Sequence, residues 1–309
     1  MTIIEVIFPV FAIALLGYIL AYKGIFGIRS IEGIARYVFT FALPVLLFNS
    51  LSKVKLPEHL DWGFLLSYYL VVVLIFGLGM WTSKRWFAFS PPEQSIFGMG
   101  SSYSNAVFIG LPLISAGLGD EALLPLFMLI SIHSAISFFL VTLFAERNGG
   151  DGRSVVAIGL KTIKSLVTNP IIIGLVLGLF FNLLSIPIPK PVEITIELIS
   201  KSTLPCALFV LGASLSAYKL AGHFKVAWTI VAFKLLLQPF LVWLLAFVIF
   251  QVDPLWGAVA VMLAAMPVGI NVYMFAQKYQ VCLPSISSAI VISTSLAVLT
   301  QSLLLAILI

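Results

Sequence analysis

Two short stretches of this 309-residue chain hold residue types that could do chemistry. The first runs Gly100-Ser101-Ser102-Tyr103-Ser104-Asn105-Ala106-Val107-Phe108-Ile109-Gly110-Leu111-Pro112. The second runs Ala265-Met266-Pro267-Val268-Gly269-Ile270-Asn271-Val272-Tyr273. Each sets small, polar and helix-breaking residues, with Pro112, Pro267 and Gly269 as the breakers, inside a long apolar segment. Pro267 lacks a backbone N–H and its ring clashes with the preceding turn, while Gly269 lets the chain bend. Unwound backbone exposes half-helix N-termini, whose N–H groups and dipole favour an anion. With Ser104, Asn105, Ile270 and Asn271 beside them, the chemistry on offer is the holding of a carboxylate by dipoles and neutral amides.

Ionisable residues within apolar segments are few. His133, in Ser131-Ile132-His133-Ser134, is a candidate for the same site and for proton coupling, since a histidine can titrate near neutral pH. The competing reading is a neutral imidazole bonded to a neighbouring helix. Lys234, in Ala232-Phe233-Lys234-Leu235, is a second coupling candidate that could also snorkel toward an interface. No Asp or Glu falls at the middle of an apolar segment, so a carboxylate-based sodium or proton site has no owner.

An enzyme is not expected. Gly117-Leu118-Gly119-Asp120 matches the G-x-G-D string of aspartyl intramembrane proteases, but that chemistry needs a second facing carboxylate. Asp61, Asp151 and Asp253 all fall in polar connections. Ser104 with His133 lacks a nucleophile turn. Cys206 and Cys282 have no metal-ligand spacing, so neither a metal nor a cofactor is expected.

These residues must be positioned by membrane helices. The chain is 61% hydrophobic and 9% charged, where soluble domains carry about 25% charge. Its net charge of +5 comes from 17 Lys and Arg scattered along the chain, so no basic stripe for nucleic acid forms. A span needs about 20 apolar residues. Polar, Pro and Gly clusters divide the chain into ten predicted spans: 3–22, 34–51, 62–86, 93–118, 121–145, 167–184, 192–217, 224–250, 254–279 and 283–309. The longest polar connection, 146–164, separates two groups of five. The expected fold is an all-α polytopic membrane protein.

Alternate connections differ in charge. One side collects Lys23, Arg29, Arg36, Lys84, Arg85, Arg147, Arg153, Lys161, Lys164, Lys219, Lys225 and Lys278, the other only Lys53, Lys55 and Lys190. The positive-inside rule then places both termini outside and the 146–164 connection in the cytoplasm. An offset of 161 residues brings Pro9 onto Pro170, Gly17 onto Gly178, Leu43-Pro44 onto Leu204-Pro205 and Phe48 onto Phe209. Five spans per half force the second copy to enter the membrane inverted, a common plan of secondary transporters. The halves are 1–150 and 166–309, joined by a loop over 151–165.

The stretches Ser104–Leu113 and Ala265–Asn271, followed by Phe275-Ala276, and Leu204–Leu215 together resemble the auxin efflux carrier family. That family includes bacterial permeases for malate- and malonate-like acids and the plant PIN auxin carriers. The resemblance covers essentially the whole chain. It implies that the fourth and ninth spans cross at their breaks. It also implies a scaffold of spans 1, 2, 6 and 7, past which spans 3–5 and 8–10 move as an elevator, and a homodimer. Asn105 matches the family's crossover asparagine, Pro267 with Gly269 its Pro-x-Gly, and His133 lies close to a polar site position. Ser104 stands where the plant carriers have proline, and Ser67, Tyr68 and Tyr69 stand near their acidic and basic pair. The expected function is secondary transport of a small organic anion such as malate or malonate, coupled to a proton or sodium ion. The expected place is a bacterial inner membrane. A sodium-coupled bile-acid-type symporter is the nearer alternative, and it would need acidic ligands beside the crossover.

Overall fold

The computed structural model describes residues 2–56, 61–147, 155–218, 220 and 222–308. The described residues are helical, and their one piece of β pairing is an isolated bridge between Ser104 and Val268. Helices α1 (Ile3–Tyr22), α2 (Ile28–Lys53), α3 (Trp62–Phe87), α4 (Pro91–Ser102), α5 (Ala106–Leu118) and α6 (Leu123–Arg147) form the first half. Helices α7 (Val155–Val167), α8 (Pro170–Leu183), α9 (Lys190–Leu215), α10 (Phe224–Ile249), α11 (Pro254–Ala264), α12 (Asn271–Tyr279) and α13 (Leu283–Leu308) form the second.

Side-chain caps set several starts. Thr2 with Glu5 makes a capping box for α1, Asp61 caps α3, Asn169 caps α8 and Asp253 caps α11. Wide π turns interrupt α2 at Val38–Ala42, open α5 at Ala106–Gly110 and interrupt α10 at Phe233–Leu237. Each ends directly before an X-Pro pair: Leu43-Pro44, Leu111-Pro112 and Gln238-Pro239. A proline cannot donate and crowds the carbonyl four residues back, and the wider turn makes room for its ring.

Seven helices are long and apolar enough to cross a membrane: Ile3–Tyr22, Ile28–Lys53, Trp62–Phe87, Asp120–Glu146, Lys190–Leu215, Phe224–Ile249 and Leu283–Leu308. Segments Ile158–Ser165 and Pro170–Leu183, bent by 61°, make an eighth if taken as one span. The remaining two expected spans are divided by real breaks, so Ala106–Leu118 and Pro254–Ala264 stand as shorter apolar helices. Two boundaries differ from expectation. The second span begins at Ile28, because Arg29, Glu32 and Arg36 ride on an amphipathic first turn with Ile31 and Ile34 half-buried on its other side. The stretch read as a loop over 151–165 holds α7 from Val155 onward, since Ile158, Thr162 and Ser165 fall at helical spacing. Glu58, Asp151, Arg153 and Lys219, used above for topology, lie outside the described residues.

Helix pairs α1/α9 and α2/α8 approach through glycine. A Cβ at Gly212 would overlap the Ala14 carbonyl and one at Gly174 the Pro44 carbonyl. A Cβ at Gly178 would sit 2.8 Å from Phe48 O, and one at Gly17 would overlap Phe209 O. Contacts this close let backbones pack directly, the usual means of holding helices together where lipid removes the hydrophobic drive. Thr203 Oγ1 adds a 3.1 Å hydrogen bond to Ala42 O.

Candidate functional site

The two unwound segments meet in the protein interior. Tyr103 (φ −87°, ψ 115°) and Asn105 (φ −75°, ψ 65°) leave helical geometry between α4 and α5. Asn105 N–H donates to Pro267 O at 2.9 Å, and Gly269 N–H donates to Tyr103 O at 3.0 Å. Two main-chain bonds therefore tie the breaks to one another and satisfy backbone groups that could not otherwise be tolerated at that depth. Gly269 is required by the closeness of this meeting: a Cβ there would lie 2.5 Å from Tyr103 Cε1 and closer still to Cδ1. Pro112 is not at the break. It lies in α5 just after the π turn, and the unwound residues are Tyr103, Ser104 and Asn105.

Side chains pack around this joint in two groups. His133 is fully buried and stacks on the Tyr103 ring, with centroids 4.7 Å apart. Its Nε2 accepts the Ser104 backbone N–H at 3.1 Å. Because an N–H only donates, Nε2 must offer a lone pair, and the ring proton resides on Nδ1. Nδ1 faces Tyr68 Oη at 3.4 Å, and Tyr68 O–H donates in turn to Ser104 Oγ at 3.4 Å. Both imidazole nitrogens are thus engaged within the protein. On the other side, Asn271 Nδ2 donates to Tyr103 Oη at 2.8 Å, which also meets Ser134 Oγ at 3.0 Å.

Asn105 is different. Its side chain is buried, at 4% exposure, yet Nδ2 has no hydrogen-bond partner within the chain. It stands as N-cap to α5, so an unmatched donor and a helix N-terminus share one place. A buried donor left unmatched costs about 1–3 kcal/mol. Such an atom calls for an explanation, and a bound acceptor is the direct one.

Ser104, Asn105, His133, Pro267 and Gly269 come together at the joint, with Asn271 linked through Tyr103 and Ile270 the residue before it. Lys234 reaches the same region from α10, on the side where α4 and α11 end. The sequence reading missed Tyr103, Tyr68, Gln238 and Ser293, whose Oγ accepts the Val268 N–H at 3.1 Å. A signal existed for one of them: Lys234 and Gln238 stand at helical i, i+4 spacing inside an apolar segment.

A cavity of about 720 Å³ opens at the Lys-poor end of the molecule. It lies between the α2/α9 pair, with Asn49 and Leu204, and the α5/α6 pair, with Leu111, Ser115 and Phe127. Lys53, Asp120, Glu197 and Lys201 ring it. Lys53 bonds Glu193 at 2.9 Å and Glu197 at 3.3 Å, so the rim is balanced in charge. Leu111 and Ser115 belong to α5, whose inner end carries Asn105. Among the described residues no group of three or more His, Cys, Asp or Glu could hold a metal ion.

Several apolar helices of spanning length, around a polar joint with an unmatched donor, define a multi-pass membrane protein built to bind a solute. The chain belongs to the membrane transport protein family, which matches it over residues 2–305, and is thus a membrane transporter of the auxin efflux carrier type. It is 27% identical over 298 residues to a protein of Rhizobium meliloti (strain 1021) named as a candidate malonate transporter, covering 95% of this chain and 92% of that one. It is 25% identical over 346 residues to auxin efflux carrier component 8 of Arabidopsis thaliana, covering 94% and 93%. The uncharacterized transporter YfdV of Escherichia coli (strain K12) is 24% identical over 235 residues, covering 75% and 74%. Transport, and not bond-breaking catalysis, is the function of the family.

Proposed function

We propose that the protein is a secondary active transporter of a small organic anion, a mono- or dicarboxylate of the malonate and malate kind. The observation that carries this reading is Asn105 Nδ2, a buried donor without a partner at the N-terminus of α5. A carboxylate oxygen supplies what that atom lacks, and the helix dipole favours its charge. The name of the Rhizobium meliloti relative points to the same substrate class. A second carboxylate would cross more easily with a proton bound, which makes a coupled proton the economical partner.

The reading extends to ten spans in two inverted halves. It is supported by contacts that interchange under an offset of 161 residues, the separation of Thr203 from Ala42. Gly17 meets Phe209, and Gly178, its counterpart at that offset, meets Phe48, the counterpart of Phe209. The tightly joined α1/α9 and α2/α8 pairs would form a fixed scaffold. The crossing helices would move past it as an elevator, with the cavity as their outer access. Both termini outside, a bacterial inner membrane and a homodimer complete the reading. The sodium-coupled alternative finds little support, because the described acidic residues lie at or near helix ends.

Uptake of radiolabelled malonate and malate into proteoliposomes tests the proposal, with protein-free vesicles as reference. Accumulation above that reference is expected. If Asn105→Ala, Asn271→Ala and His133→Ala all transported like the parent, the assignment of the site would be wrong.

A further inference from the structure

Lys234 is fully buried in the π turn Phe233–Leu237 of α10. Its Nζ donates to Gln238 Oε1 at 2.8 Å and to the Ala264 carbonyl. Gln238, also fully buried, donates from Nε2 to Ser102 O at 3.0 Å. Ser102 and Ala264 are the last residues of α4 and α11, the half-helices that end at the joint.

These two carbonyls are the ones the breaks orphan. The residue four beyond Ser102 is Ala106, whose N–H goes to Ser104 O at 2.8 Å. The residue four beyond Ala264 is Val268, whose N–H goes to Ser293 Oγ at 3.1 Å. Each helix C-terminus carries about half a negative charge, so two that converge match one ammonium. The ion pairs found among the described residues do not involve Lys234. Its counter-charge is backbone, reached directly at α11 and through Gln238 at α4.

We propose that Lys234 is a covalently tethered replacement for a coupling cation. Its ammonium, with Gln238 as relay, fills the place between the two helix C-termini that a sodium ion would need to take, and it holds the joint together without one. Lys234 is on this account a positioning residue, and transport runs without sodium. The rate readout of this inference rests on the transport reading above, whereas its stability readout does not.

The test uses the purified full-length parent and Lys234→Ser, each melted in choline, sodium and methylammonium chloride at equal ionic strength. Serine leaves a space lined by the Ala264 and Gln238 oxygens, ligands suited to a small cation. The parent should melt alike in all three salts. The serine variant should melt lower in choline and recover by about 2 °C or more in sodium or methylammonium. Malonate uptake by the parent should be unchanged when choline replaces sodium. In the serine variant it should fall about tenfold or more in choline, the cost of an unpaired buried carbonyl read as a rate, and rise again with the small cations. Lys234→Met, of similar length without donors, should stay slow in every salt. A parent that requires sodium, a serine variant as fast as the parent in choline, or one that no small cation restores would each overturn the proposal. Should the serine variant not be recovered, a methionine variant as fast as the parent overturns it equally. If the parent takes up neither malonate nor malate, the transport reading fails while the melting series still decides on Lys234.

Discussion

Gly269→Ala is the smallest change that tests the joint. The added methyl would stand 2.5 Å from Tyr103 Cε1, nearer to Cδ1 and 3.2 Å from Ser104 O. Carbon atoms are comfortable at about 3.5–4.0 Å, so the ring must retreat by about 1 Å. It cannot swing freely. His133 lies stacked against it at 4.7 Å, and its hydroxyl is held by Asn271 at 2.8 Å and Ser134 at 3.0 Å. Overpacking of this kind costs about 1–3 kcal/mol, and one lost hydrogen bond adds about 1 kcal/mol. A total near 2–4 kcal/mol corresponds to about 30-fold to 1,000-fold in rate if it falls on the transport step. On stability it corresponds to a melting point lower by about 4–8 °C. Proteoliposome uptake and thermal melting read the two effects. Tyr103→Leu removes the ring from the path, so Gly269→Ala should cost far less in that background than alone, a coupling a double-mutant cycle measures. Parental uptake and melting in the single variant, or additive effects in the pair, would refute the steric account.

Other expectations follow from the same contacts. Asn105→Asp keeps shape but replaces the unmatched donor with a charged acceptor, and anion uptake should drop about 100-fold or more, against about 10-fold for Asn105→Ala, in initial-rate measurements. His133→Leu leaves the Ser104 N–H without an acceptor and should lower the melting point by about 2–6 °C, while His133→Gln, whose amide oxygen can accept, should lower it less. Gly212→Ala drives a methyl into the Ala14 carbonyl and should sharply reduce the yield of folded protein. Gly33→Ala, with no atom within 4 Å of the new Cβ, should be neutral or stabilise by up to about 1 kcal/mol in thermal melting.

The breaks were legible because Pro267, Gly269 and Asn105 are expensive in an apolar helix unless something uses them. Helix starts at Ile3, Trp62 and Pro254 were legible because Thr2, Asp61 and Asp253 cap them. What could not be read is what depends on distant partners. The stacking of Tyr103 on His133 joins residues from two helices. Lys234 meets Ala264 across 30 residues, and Gln238 meets Ser102 across 136. Lys234 drew notice as an ionisable residue in an apolar segment, but only its neighbours show that it caps helix ends. Pro112 looked like a breaker because proline usually is one, and the π turn before it absorbs the ring without a break.

The joint between the two unwound segments is written almost wholly in main chain, through Asn105 N to Pro267 O and Gly269 N to Tyr103 O. Such a joint makes few demands on side-chain identity beyond the missing Cβ of Gly269. Residues facing the solute can therefore be exchanged without undoing the crossing that holds them. An architecture of this sort separates what is carried from how it is carried, and one framework can be retuned from solute to solute by a handful of substitutions.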